Sequence, residues 1–363
     1  MFNTVTQNYL DRLTNNQQKL DKSKLDRYDL AEGMFPPSPA VIETLGTFSP
    51  QELSALPDRN STQVRTAVAK FLGLAEDNIA VFGGADEIIE ILPRMFVASG
   101  DNIIVVAPTF DRLIKTNQKS GGEVLTFNLK SSKNFELDDE AMEDLEKLIK
   151  ESNPKLVWVC SPNNPTGVVV NIQLVGKLSS NHPETVFVVD EAYQEYFSLH
   201  PEQSASSLVN NNDNIVVIRS FSKAFGLAGV RIGYLVSSPL IATAIRKYQT
   251  MFGVSTIASK LAAIALKDID HVKNHADFVR TQKTELERVV STNSALEHVA
   301  GSQTNYLLIR HKKEDLFEIF LKNNMVTSDW RMAKGIENMG YVRVSIGQKS
   351  QNDKLKSFLS TIN

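Results

Sequence analysis

NIVVIRSFSKAFGLAGVRIGY, residues 214–234, runs a β-rich stretch straight into a segment where Lys223 stands among serines, glycines and an arginine. A lysine there is either a surface cation on an apolar stem or an amine held in place. The first seven residues, NIVVIRS (214–220), are nearly all apolar up to the arginine, as strands buried on both faces of a parallel sheet are. Similar runs come before it: NIAVF (78–82), NIIVVAP (102–108), EVLTFNL (123–129), KLVWVC (155–160) and TVFVVD (185–190). Helical patterns separate them. TQVRTAVAKFLG (62–73) is one, ADEIIEILPRMFVASG (85–100), closed by Gly100, is a second, and others lie near 110–119 and at 138–152. Strands that alternate with helices predict an α/β fold, a mostly parallel doubly wound sheet covered on both faces. Ligands of such sheets bind at the carboxyl ends of the strands.

Outside this core the pattern changes. Residues 1–29 read as a polar amphipathic lead-in helix, followed by a break at AEGMFPPSP (31–39). After about residue 240, long helical stretches (237–290) lead to shorter strands at YLLIR (306–310) and YVRVSI (341–346), an α+β portion. The expected organisation is an N-terminal arm over 1–39 that packs with the small domain, a large domain over 40–245 and the small C-terminal domain over 246–363.

Composition excludes several classes. The 363 residues are 42% apolar and 22% charged, with a formal net charge of -3, so nothing favours nucleic acid. No apolar run approaches the length of a membrane span, and the amino terminus is too polar for a signal peptide. A single cysteine, Cys160, excludes an internal disulfide and suggests the cytoplasm. His271 and His275 share a helical face without an evident third ligand, so no metal is expected.

Four strand ends carry chemistry. After NIAVF, Gly83 and Gly84 permit a tight turn, and Ala85 and Asp86 open a helix whose free amides suit a phosphate; an ordinary glycine turn with an Asp cap would read the same way. SPNNPTG (161–167) offers Asn163 and Asn164 as amide donors, or is a loop that simply uses turn residues. Asp190 closes an apolar strand, either as a helix cap or opposite something positive. Ser220, Ser222 and Arg231 flank Lys223 with groups suited to a phosphate. Together they match pyridoxal 5′-phosphate, which needs a lysine amine, a phosphate cup and a carboxylate opposite its pyridine nitrogen.

The chain resembles the fold type I pyridoxal-phosphate enzymes of the class I and II aminotransferases, and within them histidinol-phosphate aminotransferases. The residues that carry the resemblance are GGADE (83–87), APTF (107–110), SPNNPTG (161–167), DEAY (190–193), SFSKAFGLAGVRIGY (220–234) and YVRVSIG (341–347). It implies Lys223 as the Schiff-base lysine and proton shuttle, Asp190 as the pyridine-nitrogen partner, and Asn164 and Tyr193 as donors to the ring oxygen. It also implies a phosphate cup of Ala85, Asp86, Ser220, Ser222 and Arg231, an aromatic cover from Phe110, and Arg343 as the grip on a substrate carboxylate or phosphate. The expected partners are an amino donor, a 2-oxo acid acceptor such as 2-oxoglutarate, and a second copy of the chain in a homodimer.

Departures from the family pattern fall on the substrate side. Ala55-Leu56-Pro57-Asp58 places Leu56 where the family has a tyrosine, and Ala31-Glu32-Gly33-Met34-Phe35 lacks the usual polar run, leaving Phe35 as a candidate substrate contact. Thr327-Ser328-Asp329-Trp330-Arg331 lacks the arginine that binds histidinol phosphate's phosphate, so either Arg331 takes that task or the substrate has no phosphate. A decarboxylase, or an oxidase or cyclase of specialised metabolism, on the same scaffold is the competing expectation.

Overall fold

The computed structural model describes residues 21–31 and 35–363. Most of the expected lead-in helix (1–20), together with Glu32, Gly33 and Met34, lies outside the described residues. The strands, in chain order, are β1 (Asp26–Tyr28), β2 (Ile79–Phe82), β3 (Asn102–Ala107), β4 (Glu123–Asn128), β5 (Leu156–Cys160) and β6 (Val186–Asp190). Then follow β7 (Ile215–Ser220), β8 (Gly233–Ser237), β9 (Leu296–His298), β10 (Tyr306–His311), β11 (Met325–Asp329) and β12 (Val342–Ser345).

Seven of them form the larger sheet in the order β2-β8-β7-β6-β5-β3-β4. The run from β4 to β7 is parallel throughout, as the alternation of strands and helices predicts. Successive residues feed opposite faces. Ile104, Val157, Val189 and Val217 enter one core, while Val105, Trp158, Val188 and Val216 enter the other. With both faces covered, only β-branched and other apolar side chains fit, which is why these strands read as continuous apolar runs. Strand order reverses between β3 and β5, so the crevice beyond their carboxyl ends is where a ligand belongs.

β8 was not expected from the sequence, and it runs antiparallel to both β7 and β2. The loop after β7 returns to the end of the sheet it left, pairing Ser220 with Gly233. A chain that re-enters there has to run backwards, because a parallel neighbour needs a crossover to the far end.

Three further expectations change. The helix expected over 85–100 is Ala85–Phe96, with Pro93 in its last turn and Val97 already extended, so Gly100 belongs to the turn before β3. The stretch 237–290 divides into helices Pro239–Tyr248, Thr256–Ala265 and Ile269–Thr292. Residues 26–28, expected to be helical, form β1, which pairs in parallel with β11 at one edge of the smaller sheet, β1-β11-β12-β10-β9. Asp-Arg-Tyr has little strand preference of its own; the available edge of β11 decides its conformation.

Candidate active site

The carboxyl ends of β5, β6 and β7, the start of helix Ala85–Phe96 and the β3 loop surround a cleft of about 350 Å³. Every residue expected on the cofactor side lines it, from Ala85 and Asp86 through Phe110, Asn164, Asp190 and Tyr193 to Ser220, Ser222, Lys223 and Arg231, and Arg343 lines it as well.

Asp190 ends β6 almost wholly buried. The Ala192 N–H donates to its Oδ1 at 3.1 Å. Burial pushes its carboxyl up to about 6, against the opposing pull of that amide and of the Lys223 charge. The Lys223 Nζ lies 5.3 Å from the centroid of the Tyr193 ring, and that ring meets Tyr306 edge-on at 5.2 Å. Adjacent parallel strands thus deliver Asp190 and the Lys223 segment to the same end of the sheet.

Arg343 stands on β12 of the smaller sheet and reaches across to the larger one. Its Nη1 donates to Asn164 Oδ1 at 2.7 Å and its Nη2 to the Asp29 carbonyl at 3.1 Å. The guanidinium lies 4.7 Å from the Tyr306 ring centroid and 5.8 Å from that of Trp330. The two asparagines of SPNNPTG therefore part company. Asn164 faces the cleft, whereas Asn163 holds its own loop together, accepting from Thr166 N–H and Oγ1 and donating to the Pro108 carbonyl. Asn163 is removed from the candidate donors for that reason.

Helix Ala85–Phe96 begins without a side-chain cap, because its N-cap is Gly84. Gly84 has φ of +110°, and a Cβ there would sit 2.6 Å from Arg231 Nη2. Only glycine lets the arginine come so close to the helix start. Arg231 also holds the Ala228 carbonyl at 3.1 Å and Asp86 Oδ2 at 3.4 Å, and Ser222 N–H donates to Ser220 Oγ at 3.1 Å. Uncapped amides, hydroxyls and a guanidinium around one point make a seat for a phosphate.

Two of the expected residues are not at the cleft. Arg331 is held by Asp329 at 2.8 Å and by Asp315, and lies over the Phe317 ring at 4.5 Å. Carboxylates occupy its guanidinium, and it is not among the residues that line the cleft. Phe35 packs on His275 and Phe278, at 4.0 and 5.1 Å between ring centroids, and does not line the cleft.

The model of the family described as aminotransferase class I and II matches residues 24–359. The chain belongs to that family. It is a pyridoxal-phosphate-dependent aminotransferase of fold type I, similar to histidinol-phosphate aminotransferases. It is 31% identical to the dihydroxyacetone phosphate transaminase of Campylobacter jejuni over 342 residues, 90% of either chain. It is 30% identical to histidinol-phosphate aminotransferase 1 of Archaeoglobus fulgidus, covering 91% of this chain and 97% of that one. Among solved structures, the histidinol-phosphate aminotransferase of Sinorhizobium meliloti in complex with pyridoxal-5'-phosphate superposes with a TM-score of 0.82 at 24% identity, covering 97% of this chain and 95% of that one.

The residues of this aminotransferase fit its cofactor. Asp190, buried and pushed towards neutrality, gains from a cation beside it, and a protonated pyridine nitrogen is such a cation. The uncapped helix start beside Arg231 fits the phosphate.

Sequence reasoning missed what lies beneath the site. Arg219, two per cent exposed, donates to Glu191 at 3.0 Å and Glu195 at 2.8 Å, and Ser204 Oγ donates to Glu191 at 2.5 Å. Burial pushes the Glu191 carboxyl up, opposed by the Arg219 charge. The signal was present: an arginine inside the apolar run NIVVIRS, with two acids four apart in EAYQE (191–195). Because the cluster joins the residue after Asp190 to the residue before Ser220, its loss is felt by the whole aminotransferase. Arg219→Met leaves two carboxylates buried without their cation, and a loss of about 3–5 kcal/mol is expected in urea unfolding.

Proposed function

We propose that this aminotransferase carries its cofactor on Lys223 and moves an amino group from a donor with a carboxylate or phosphate end to a 2-oxo acid such as 2-oxoglutarate. The observation that carries the reading is the shared cleft, which Lys223, Asp190 and Arg343 all line. Pyridoxal phosphate, when bound, supplies a carbonyl for amines and a ring that withdraws electrons from the donor's α-carbon. Asp190 would hold the pyridine nitrogen in its protonated form, and Asn164 and Tyr193 would donate to the ring oxygen. Ala85, Asp86, Ser220, Ser222 and Arg231 would seat the phosphate, and Phe110 would cover the ring. Lys223 would hold the group through its amine and would carry the proton at the donor's α-carbon. Arg343 grips the donor's anionic end, its planar fork already oriented by Asn164 and the two aromatic rings.

Both relatives named above take a phosphate ester by name, which supports histidinol phosphate or a similar amino-alcohol phosphate as donor; an aromatic amino acid suits Arg343 equally well. The working form is a homodimer. Exposed Ile42, Leu45, Leu53 and Ile257, on helices packed side by side, support a second copy there, with Leu56, 75% exposed, beside them in sequence. We keep the division at 39/40 and 245/246 as a proposal. Support comes from the larger sheet, which falls wholly within 40–245, and from β1, which joins the arm to the C-terminal strands. Cytoplasmic residence is proposed with it; no helix among the described residues is long and apolar enough to cross a membrane.

The test is a visible absorption titration of the purified protein, adding histidinol phosphate, aromatic amino acids and glutamate one at a time. Loss of the yellow band with one donor, and its return with a 2-oxo acid, is the expected result. A protein that takes up no pyridoxal phosphate would overturn the reading. So would release of carbon dioxide or peroxide without dependence on an acceptor.

A further inference from the structure

Helix Ile269–Thr292 passes behind the lysine segment and presents His275 to it. The imidazole is buried, and its Nδ1 lies 2.9 Å from the carbonyl oxygen of Ala224, the residue after Lys223. A carbonyl oxygen can only accept, so Nδ1 carries the proton and Nε2 is bare. Nε2 is buried without a partner among the described residues. Burial outweighs the opposing effect of the Ala224 carbonyl, pushes the imidazole down to about 4 and so keeps it a neutral donor.

The same histidine bears on the outer wall. Phe35 lies on one side of its ring at 4.0 Å, tilted by 40°, and Tyr196 meets it edge-on at 5.4 Å. The backbone of residues 35–37 crosses Gly226 so closely that a Cβ there would sit 3.0 Å from both the Phe35 oxygen and the Pro37 nitrogen. Gly226 has φ of +71°, so the turn needs glycine twice over. One turn earlier on the helix, His271 Nε2 lies 3.2 Å from the Pro36 carbonyl. Residues 224–226 are thereby pinned from behind by His275 and from outside by 35–37.

We propose that His275 is a positioning residue for Lys223. Its bond to the Ala224 carbonyl fixes the peptide that follows the lysine, and so fixes the direction in which the side chain enters the cleft. The turn's own bonds, Gly226 N–H to the Lys223 oxygen and Leu227 N–H to the Phe221 oxygen, each at 3.0 Å, close the loop, and His275 adds the donor for Ala224. A lysine has four rotatable bonds, and small errors at its base grow towards Nζ. A misplacement of about 1 Å at a reacting atom costs about 100-fold in rate. This inference rests on Lys223 being the lysine that bears the cofactor.

Three variants of the holoenzyme separate positioning from packing. His275→Asn keeps a donor near the Nδ1 position, His275→Gln moves it to the Nε2 position, and His275→Leu fills the space without one. The measurements are kcat and KM, the pH midpoint of the bound cofactor's visible spectrum, and the urea midpoint. Leu and Gln are expected to lower kcat about 10- to 100-fold and to shift the spectral midpoint, with KM changed less than about twofold, while Asn stays within about threefold of the parent. Should Leu fail to fold, the contrast between Asn and Gln decides. Parental kcat and midpoint in His275→Gln would overturn the inference, as would equal losses in Asn and Gln that follow their stability. Borohydride trapping of the parent keeps the two readings apart. A label on another lysine removes both, whereas a label at Lys223 with an unaltered Gln variant removes only the role of His275.

Discussion

Lys223→Ala is expected to stay folded and to lose turnover by a factor on the order of 10⁴ or more, because it deletes the amine proposed to hold the cofactor and to carry the proton. Lys223 is half-buried and lines the cleft, so truncating it removes little packing. Its urea midpoint should therefore remain close to the parent's. Lys223→Arg should be as inactive, since a guanidinium does not give up its proton at neutral pH. Single-turnover kinetics and peptide mapping after borohydride treatment read the result. Parental rates in the alanine variant would take Lys223 out of the reaction.

Asp190→Asn is expected to move stability and activity in opposite directions. The Asp190 carboxyl is raised from 3.8 to about 6, chiefly by burial. Its native state binds the proton more tightly than the unfolded chain, so its favourable contribution is complete below about pH 4 and is lost as the pH rises to about 6. Above that, the ionised group costs the cofactor-free protein about 3 kcal/mol, which asparagine avoids. The cofactor-free variant should thus be more stable than the parent at pH 7 by about 2–3 kcal/mol, with the difference vanishing near pH 4. Turnover should fall on the order of 10³-fold, since the neutral amide no longer holds a protonated ring nitrogen. Added pyridoxal phosphate should narrow the stability gap, because in the parent the ring offsets the buried charge. A variant less stable than the parent at pH 7 would show that Asp190 is already satisfied without the cofactor.

Candidate functional residues are legible where chemistry and strand patterning meet. Asp190 and Lys223 stand out because each is a charged residue that ends or follows an apolar strand, and parallel neighbours put such ends together. Arg331 shows the opposite. Its sequence position near the family's phosphate-binding segment gave it a role, yet Asp329, two residues away, and Asp315, sixteen away, hold its guanidinium outside the cleft. Phe35, expected as a substrate contact, does not line the cleft, since its ring finds His275 and Phe278 on a helix more than two hundred residues later.

What the sequence by itself determined was local and periodic: the apolar runs that become buried strands, the helices between them, and the polar groups at their ends. Those follow from neighbours within a few residues, and the parallel sheet follows from their alternation. The tertiary structure alone decided the direction of β8, the strand at 26–28, the division of labour between Asn163 and Asn164, and the bond from His275 to the lysine segment. Each of these depends on which distant edge, carbonyl or carboxylate the folded chain brings within hydrogen-bond reach, and no local propensity encodes that.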